Sequence, residues 1–318
     1  MIALDRARSA PKNLTRVELA ELLAIRDEGF WREAFAVAQE IKARYGKSEV
    51  LPRGLIETSN VCAKNCLYCG IRKGNENVPR YLMSEKDVAM CIDEARQRGY
   101  PAVAFQAGEI ESEANTSYYE RILKKCRGLE VTLSLGEQTE AVYQRWKDAG
   151  AMRYLIRIET SNRELYAKIH PADCSFDRRL ECIRTLKRLG YVTGSGVMIG
   201  LPGQTIEDLA GDIVFYGEEQ LDMVGMGPYV FHPDSPLPNL ASLLPATNEQ
   251  LSLRMIALTR LYLHDVNIVA ATALEALDPA AGRTRGIEAG ANVVMPVLTP
   301  KIYRQRYDLY PGKNEVVS

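Results

Sequence analysis

The chain has 318 residues, of which 46% are hydrophobic and 25% are charged, and its formal net charge is −1. This ordinary globular composition suffices for two average domains or for one (β/α)8 barrel. The 40 basic and 41 acidic residues are spread along the whole chain, so we expect no nucleic-acid partner.

The chain shows no sequence signal for export or for a membrane. Residues 1–10 lack the apolar stretch of a signal peptide, and no apolar run is as long as a membrane helix requires. We therefore expect a cytoplasmic protein with no membrane partner. Three of the seven cysteines are close together, which suits a metal site in a reducing compartment better than a set of disulfides.

The first predicted elements are helical. Apolar residues recur at helical spacing between Thr15 and Tyr45, which predicts two helices. We assign residues 1–48 to an N-terminal helical cap. From Val50 onward, short apolar runs alternate with longer amphipathic stretches, and this alternation indicates strands that are each followed by a helix.

Eight strands are predicted in this part of the chain: Arg53–Thr58, Ala102–Gln106, Val131–Leu135, Tyr154–Arg157, Thr193–Ile199, Met223–Pro228, Asn267–Ala271 and Ala291–Met295. Helices are predicted from Ser84 onward and over Ser117–Lys125, Gln138–Ala149, Asp177–Leu189, Thr205–Gln220, Asn248–His264 and Gly282–Ala289. Eight such repeats predict an α/β fold, a TIM-type (β/α)8 barrel over residues 49–318. An open doubly wound sheet is the alternative, but Gly194, Gly196 and Gly200 lack the spacing of a dinucleotide-binding loop.

Cys62, Cys66 and Cys69 have the spacing CxxxCxxC and directly follow the first predicted strand. In (β/α)8 barrels this end of the strands carries the chemistry. Three thiolates can bind three irons of a 4Fe-4S cluster and leave the fourth iron open. A structural zinc site would need a fourth Cys or His close by, and the nearest histidine is His170. The other cysteines, Cys91, Cys126, Cys174 and Cys182, are distant in sequence.

This cysteine motif resembles the signature of the radical S-adenosylmethionine (radical SAM) superfamily. The resemblance implies that Cys62, Cys66 and Cys69 hold a 4Fe-4S cluster whose open iron binds S-adenosylmethionine. It implies further that an electron from the cluster splits this cofactor and generates a 5′-deoxyadenosyl radical. Tyr68 then lies beside the adenine. Met198, on the fifth predicted strand, is a second candidate to contact the adenine.

Polar residues at the next strand ends are candidates to complete the cofactor site. Gly108 and Glu109 resemble the superfamily motif that faces the amino group of the cofactor, although Ala107 replaces its first glycine. Ser134 and Glu159 are candidate hydrogen-bonding partners of cofactor or substrate. The planar guanidinium of Arg179 suits a carboxylate. For each residue the alternative is a structural polar contact.

A closer resemblance covers most of the chain and is carried by SNVCAKNCLYCGIR, TLSLGE, MIGLPGQT, DMVGMGPYVFHPDSPL, GANVVMP and YRQRYDLYPGK. Together these segments resemble the HydE-type FeFe-hydrogenase maturases, which belong with biotin synthase and methylornithine synthase. The resemblance implies a closed barrel whose internal cavity takes a small or organometallic precursor of the hydrogenase H-cluster. It also implies a reductant such as flavodoxin or ferredoxin, and other hydrogenase maturation proteins, as partners.

The same resemblance assigns a substrate cavity to Thr132, Thr272, Tyr303 and Arg304. Hydroxyl and guanidinium donors there can hold small anions. Of the three histidines, His232 is predicted to be structural, and His170 and His264 are predicted to be surface or helix-end residues.

Three positions depart from the HydE-type pattern. Ile158, Ala107 and Ala271 stand where this family usually has a histidine, a serine and a threonine. Each change is expected to remove a polar group from the substrate chamber. A HydE-like paralogue or a methylornithine-synthase-like mutase acting on another small molecule is therefore an alternative. A non-enzymatic iron–sulfur carrier is an alternative of another class.

Overall fold

The computed structural model describes residues 2–239 and 244–313. The described strands are β1 (Leu51–Ser59), β2 (Ala102–Ala107), β3 (Glu130–Ser134), β4 (Arg153–Leu155), β5 (Val192–Ser195), β6 (Met198–Ile199), β7 (Met223–Val224), β8 (Gly227–Pro228), β9 (Asn267–Ile268) and β10 (Val293–Val294). The last residues of the predicted barrel domain, 314–318, lie outside the described residues.

The described helices are α1 (Ile2–Ser9), α2 (Arg16–Ala24), α3 (Glu28–Arg44), α4 (Glu85–Gln97), α5 (Glu113–Leu123), α6 (Glu140–Asp148), α7 (Arg163–Ile169), α8 (Phe176–Arg188), α9 (Ile206–Glu218), α10 (Asn248–Leu263), α11 (Thr272–Leu277), α12 (Gly282–Glu288) and α13 (Lys301–Arg304). The predicted cap at Ser84 is confirmed, since its side chain accepts a hydrogen bond from the N–H of Asp87. Helices α1, α7, α11 and α13 were not predicted, because one or two turns are too short for a periodic pattern.

Eight of the described strands form one parallel sheet in the order β10-β1-β2-β3-β4-β5-β7-β9. A bridge between Val269 and Val293 joins the two ends of this order. The N–H of Ala270 also donates to the carbonyl of Val293 at 2.9 Å. The sheet therefore closes, and the predicted TIM-type (β/α)8 barrel is confirmed.

The fifth and sixth predicted strands are each interrupted. Thr193–Ile199 becomes β5 and β6, and Met223–Pro228 becomes β7 and β8. A Cβ atom on Gly196 would lie 1.8 Å from the carbonyl oxygen of Gly225. The backbones of Gly196, between β5 and β6, and Gly225, between β7 and β8, are therefore in direct contact. Only glycine permits this approach.

The helices before β1 pack against the outer helices of the barrel: α2 contacts α9, and α3 contacts α10. Leu19 and Trp31 are almost fully buried and belong to the same hydrophobic core as the barrel helices. Burying side chains of this size stabilises the fold by about 2 kcal/mol each. No helix among the described residues is long and apolar enough to cross a membrane.

The barrel centre holds a small apolar layer formed by Leu55, Ala104 and Val297. On β1 and β2 the next inward-facing residues are polar, Glu57 and Gln106, because successive inward positions are two residues apart. The apolar layer thus forms a floor under the carboxyl ends of the strands, where the polar residues collect.

Candidate active site

A cavity of about 260 Å³ lies at the carboxyl ends of the barrel strands, where (β/α)8 enzymes have their active sites. Its walls come from the segments that follow most of the strands and from the C-terminal segment. All ten residues predicted to bind cluster or cofactor line it: Cys62, Cys66, Tyr68, Cys69, Gly108, Glu109, Ser134, Glu159, Arg179 and Met198. Residues far apart in sequence thus meet around one space.

Arg80 organises the loop that carries the three cysteines. Its guanidinium donates to four backbone carbonyls of this loop, those of Asn60 (2.8 Å), Ile71 (2.7 Å), Arg72 (2.6 Å) and Asn75 (2.9 Å). A planar cation with several donors can bind converging carbonyls in this way. Sequence reasoning did not identify Arg80, because its role depends on how the loop folds back.

The segment after β2 is attached to the start of the cysteine loop. The N–H of Glu109 donates to Cys62 Sγ at 3.3 Å. A Cβ atom on Gly108 would lie 2.2 Å from the carbonyl oxygen of Val61. Glycine is therefore required at Gly108, whereas Ala107 fits without a backbone conflict as the last residue of β2.

A buried ionic network joins the cysteine loop to the barrel. Glu137 is 1% exposed and binds Arg179 (2.6 Å), Arg178 (3.1 Å) and Lys64 (3.3 Å). Glu109 binds Lys64 at 3.2 Å and approaches Arg179 at 3.7 Å. Burial opposes ionisation of Glu137, but the Arg179 guanidinium holds its pKa below the usual value. Lys64 lies between two of the cysteines, so its two ion pairs position the loop.

Glu159 has a strained backbone at the edge of the cavity, with a φ of +67°. Non-glycine residues seldom adopt this region, and such strain is concentrated at functional sites. Its carboxylate accepts from Arg157 at 3.0 Å. Burial raises the pKa of Glu159, while Arg157 and Arg179 oppose this shift.

Tyr68 is held by His170. The Nδ1 of His170 lies 3.0 Å from the carbonyl oxygen of Tyr166, so Nδ1 carries the proton. Nε2 therefore accepts from the Tyr68 hydroxyl at 3.3 Å. Burial, helped by Arg179, lowers the pKa of His170 to about 4, so the ring is neutral near pH 7. His170 and His264 both end helices, as predicted, and both are buried.

One wall of the cavity is apolar. Tyr68 and Met198 pack against a hydrophobic cluster that includes Leu201 and Tyr229. Tyr229 lines the cavity as well. A flat aromatic group such as a nucleobase can be covered by a wall of this kind.

Residues of the C-terminal segment, together with Thr272, form one side of the cavity. Thr272 lines it, and its hydroxyl is 2.9 Å from that of Tyr310. Tyr303 and Arg304 lie outside the lining, and Tyr303 instead donates to Asp87 at 2.7 Å. The lining residues of this segment are Tyr307, Leu309, Tyr310 and Lys313. Tyrosines recur in the motif YRQRYDLYPGK, and the sequence alone does not show which of them turn inward.

Two further residues considered for the chamber lie outside the cavity lining. Thr132 lies on β3 one inward position before Ser134, is 5% exposed, and does not reach the cavity lining. Ile158 is fully buried in the hydrophobic core and does not line the cavity either, so this departure removes no polar group from the chamber. Ala107 and Ala271 do line it.

The comparisons with known proteins agree with this geometry. Residues 56–215 match the sequence profile of the Radical SAM superfamily. The chain is also 47% identical over 309 residues to the FeFe hydrogenase maturase subunit HydE of Thermotoga maritima, covering 95% of this chain and 85% of that protein. The chain belongs to the radical SAM superfamily and to the HydE family within it.

Other radical SAM proteins are more distant. The 3-methylornithine synthase of Methanosarcina acetivorans is 26% identical over 291 residues, which cover 88% of this chain and 79% of that protein. A crystal structure of methylornithine synthase (PylB) superposes with a TM-score of 0.82 at 22% identity, covering 92% of this chain and 85% of that chain. The maturase HydG from Carboxydothermus hydrogenoformans superposes with a TM-score of 0.80 at 20% identity, covering 98% and 71%. These two superpositions support the fold.

Enzymes of the radical SAM superfamily bind a 4Fe-4S cluster and S-adenosylmethionine, and these are the cofactors of this chain. The residues present fit both groups. The three cysteines are free and partly exposed. They line one cavity together with acidic, basic and apolar residues. Among the described residues no three metal-ligating side chains surround a single ion position. The thiolates of a 4Fe-4S cluster bind separate irons and need no such arrangement.

Proposed function

We propose that this radical SAM enzyme is a HydE-type maturase that acts on a small cysteine- or iron-containing precursor of the FeFe-hydrogenase H-cluster. The observation that carries the proposal is the 47% identity to a maturase subunit over 95% of the chain. A match over 95% of the chain spans most of the barrel.

Three thiolates hold the cluster in this proposal: Cys62, Cys66 and Cys69. Burial raises the pKa of Cys69 to about 12 in the metal-free chain, so iron must displace a proton there. Arg80 and Lys64 keep the loop in place through the carbonyls and carboxylates that they bind.

The cluster and S-adenosylmethionine, when bound, supply the 5′-deoxyadenosyl radical. Glu159 accepts hydrogen bonds from the ammonium or ribose groups of the cofactor, and Arg179 binds its carboxylate. Arg179 is already oriented by Glu137 and by the carbonyl of Arg157 at 3.0 Å. Tyr68 and Met198 cover the adenine, and Gly108 leaves room for the backbone to approach.

The substrate occupies the part of the cavity near the C-terminal segment. Thr272 and Tyr310 present hydroxyl groups there, and Lys313 presents a buried ammonium group. These donors suit an anionic or thiolate-bearing small molecule. A flavodoxin or ferredoxin delivers the electron in the reducing cytoplasm, and other hydrogenase maturation proteins provide and receive the intermediates.

A second candidate is a mutase that acts on another small molecule, like 3-methylornithine synthase. It is favoured by Ala107 and Ala271, two apolar residues that line the cavity at positions where the HydE pattern has hydroxyl-bearing residues. The fold is common to both candidates, so the substrate decides between them.

The test is an anaerobic assay of the cluster-loaded chain with a strong reductant and S-adenosylmethionine. The 5′-deoxyadenosine formed is measured by chromatography, with and without an iron–cysteine complex as the precursor. We expect a rate that rises at least tenfold with the precursor. The matched controls are Cys66→Ala, which should be inactive, and Cys182→Ala, which should retain the rate.

Each outcome is decisive for one part of the proposal. If 5′-deoxyadenosine forms at the same rate with and without the precursor, the proposal of a maturase is rejected and the second candidate is favoured. If the chain carries the full cluster but forms no product under any condition, the proposal that it is an enzyme is wrong and it is an iron–sulfur carrier.

A further inference from the structure

The turn after β4 carries Glu159 at the edge of the cavity, and the backbone of this residue is attached to the next strands. Its N–H donates to the carbonyl of Gly196 at 3.0 Å, and its carbonyl accepts from the N–H of Met198 at 3.0 Å. Its φ of +67° is costly for a residue with a side chain. Such a conformation persists only where the surrounding structure holds it.

Helix α9 holds the other side of the same turn. Asp212 Oδ1 accepts from both the N–H (2.6 Å) and the hydroxyl group (2.7 Å) of Ser161, two residues after Glu159. Asp208 Oδ1 accepts from the side-chain amide of Asn162 at 2.7 Å. Residues four apart lie on one face of a helix, so these two aspartates hold adjacent residues of the turn.

The position of Asp212 is energetically unfavourable. The residue is 0% exposed, and its Oδ2 has no hydrogen-bond partner among the described residues. A buried carboxyl group with an unpaired oxygen costs free energy that an apolar residue on the inner face of a helix avoids. Proteins keep such costs mainly where function requires them. Asp212 does not line the cavity, so any functional role acts through the turn.

We propose that Asp212 is a positioning residue of the cofactor site. By accepting both hydrogen bonds of Ser161, it keeps the backbone of Glu159 in its strained conformation and directs the Glu159 side chain to the cavity, which this residue lines. Without this hold the backbone relaxes toward a negative φ, and the direction of the side chain changes. The consequence for the cofactor rests on the proposed role of Glu159 in binding S-adenosylmethionine, whereas the hold on the turn does not.

The first measurement tests the hold in the metal-free full chain. Amide hydrogen exchange of residues 157–165 is followed by mass spectrometry in the parent chain, Asp212→Ala and Asp212→Asn. We expect exchange several-fold faster in Asp212→Ala, because the Ser161 amide loses its acceptor and the turn opens locally. Asp212→Asn should exchange like the parent, because its amide oxygen accepts the same two bonds and its nitrogen replaces an oxygen without a partner.

The matched control is Ile213→Ala. Ile213 is the next residue on α9 and is also 0% exposed. Its truncation leaves a cavity in the core and lowers the stability of the chain, but it leaves both hydrogen bonds of Ser161 in place. Exchange of residues 157–165 in this variant should therefore follow the parent chain.

The second measurement tests the cofactor site in the cluster-loaded chain. Affinity for S-adenosylmethionine is measured by equilibrium dialysis, and the change in the electron paramagnetic resonance signal of the reduced cluster is recorded when the cofactor is added. We expect Asp212→Ala to bind the cofactor roughly tenfold more weakly than the parent, as is typical when a carboxylate loses the partner that orients it. Bound iron should be unchanged, and Asp212→Asn and Ile213→Ala should bind like the parent.

Ser161→Ala keeps the test decisive if Asp212→Ala does not fold. This variant removes only the hydroxyl donor and leaves the N–H bonded to Asp212. It should weaken cofactor binding about threefold, as expected for the loss of one hydrogen bond.

Equal exchange in Asp212→Ala and the parent would overturn the hold. Equal cofactor affinity in these two chains, or an equal loss in Ile213→Ala, would overturn the positioning role. A loaded parent chain that does not bind S-adenosylmethionine would reject the proposed function, and hydrogen exchange would still report whether Asp212 holds the turn. The two failures are therefore distinguishable.

Discussion

At the scale of single residues, the site depends on side chains that hold the cavity residues rather than on the cavity residues alone. His170 is an example, since its unprotonated Nε2 accepts from Tyr68 and its ring stacks on Tyr166 with centroids 3.9 Å apart. His170 does not line the cavity. It is therefore a positioning residue that acts through Tyr68.

Replacing His170 with alanine should weaken S-adenosylmethionine binding about fivefold, since one hydrogen bond of about 1 kcal/mol that orients Tyr68 is lost. The cluster should load normally, because the cysteines are untouched. Equilibrium binding to the loaded chain and iron analysis measure the two effects. His170→Gln keeps an acceptor and should restore part of the affinity; equal affinity in all three chains would contradict this role.

Asp212 offers a test by pH. Its Oδ1 accepts from the N–H (2.6 Å) and hydroxyl (2.7 Å) of Ser161, while burial raises its pKa to about 7. The folded chain thus binds this proton more tightly than the unfolded chain, so stability falls as the pH rises from about 4 to about 7. Asp212→Asn removes this titration. Its free energy of unfolding, relative to that of the parent chain, should therefore rise by about 2 kcal/mol between pH 5 and pH 8.

Thermal unfolding of the metal-free chains at the two pH values measures this gain. Asp5→Asn, at an exposed position on α1, is the control and should show none. A difference between Asp212→Asn and the parent that is the same at both pH values would contradict the prediction.

At the scale of elements, the cysteine loop is irregular and is shaped by side-chain contacts rather than by a helix or strand. Arg80 binds four of its carbonyls, and Asn65 Oδ1 accepts from the N–H of Gly74 at 2.9 Å. Buried backbone carbonyls need such partners. The loop's conformation, and with it the spacing of the thiols, therefore depends on Arg80.

Arg80→Lys should shorten the lifetime of the bound cluster several-fold, because an ammonium group cannot reach four carbonyls in the directions that the guanidinium covers. The measurement is the decay of the cluster's visible absorbance in the presence of an iron chelator. Arg98→Lys, whose side chain pairs with Glu94 on the surface, is the matched control. Equal decay in the two variants would show that the loop does not depend on Arg80.

At the scale of the whole molecule, the C-terminal segment folds back over the barrel mouth. Lys313 forms a buried ion pair with Glu57 of β1, and both residues are at most 2% exposed. The N–H of Gly70 donates to the carbonyl of Leu309 at 3.0 Å, which joins the same segment to the cysteine loop. The end of the described chain thus closes a cavity whose other walls come from the strand ends.

Lys313→Met should lower the free energy of unfolding by about 3 kcal/mol, since it leaves the Glu57 carboxylate buried without its cation. The double variant Glu57→Gln with Lys313→Met should recover most of this loss. Denaturant unfolding of the metal-free chains measures both, and Lys73→Met at an exposed position is the control. A double variant no more stable than the single one would contradict the prediction.

The sequence by itself determined the class of fold and the chemistry. Strand and helix periodicity and the spacing of Cys62, Cys66 and Cys69 are properties of contiguous segments, so they can be read before the chain is folded. The strand-end residues Glu109, Ser134 and Glu159 also followed from the sequence, because the carboxyl ends of parallel strands meet at one end of a barrel.

Only the tertiary structure decided which distant side chains meet. The pair of Lys313 with Glu57 and the four bonds of Arg80 each depend on where the chain returns to the barrel mouth. Local turns decide that Tyr307 and Tyr310, but not Tyr303, line the cavity. They also decide that Ile158 is buried away from it. A periodic pattern describes one segment of the chain and does not show which distant segment it will contact, so it cannot predict such contacts.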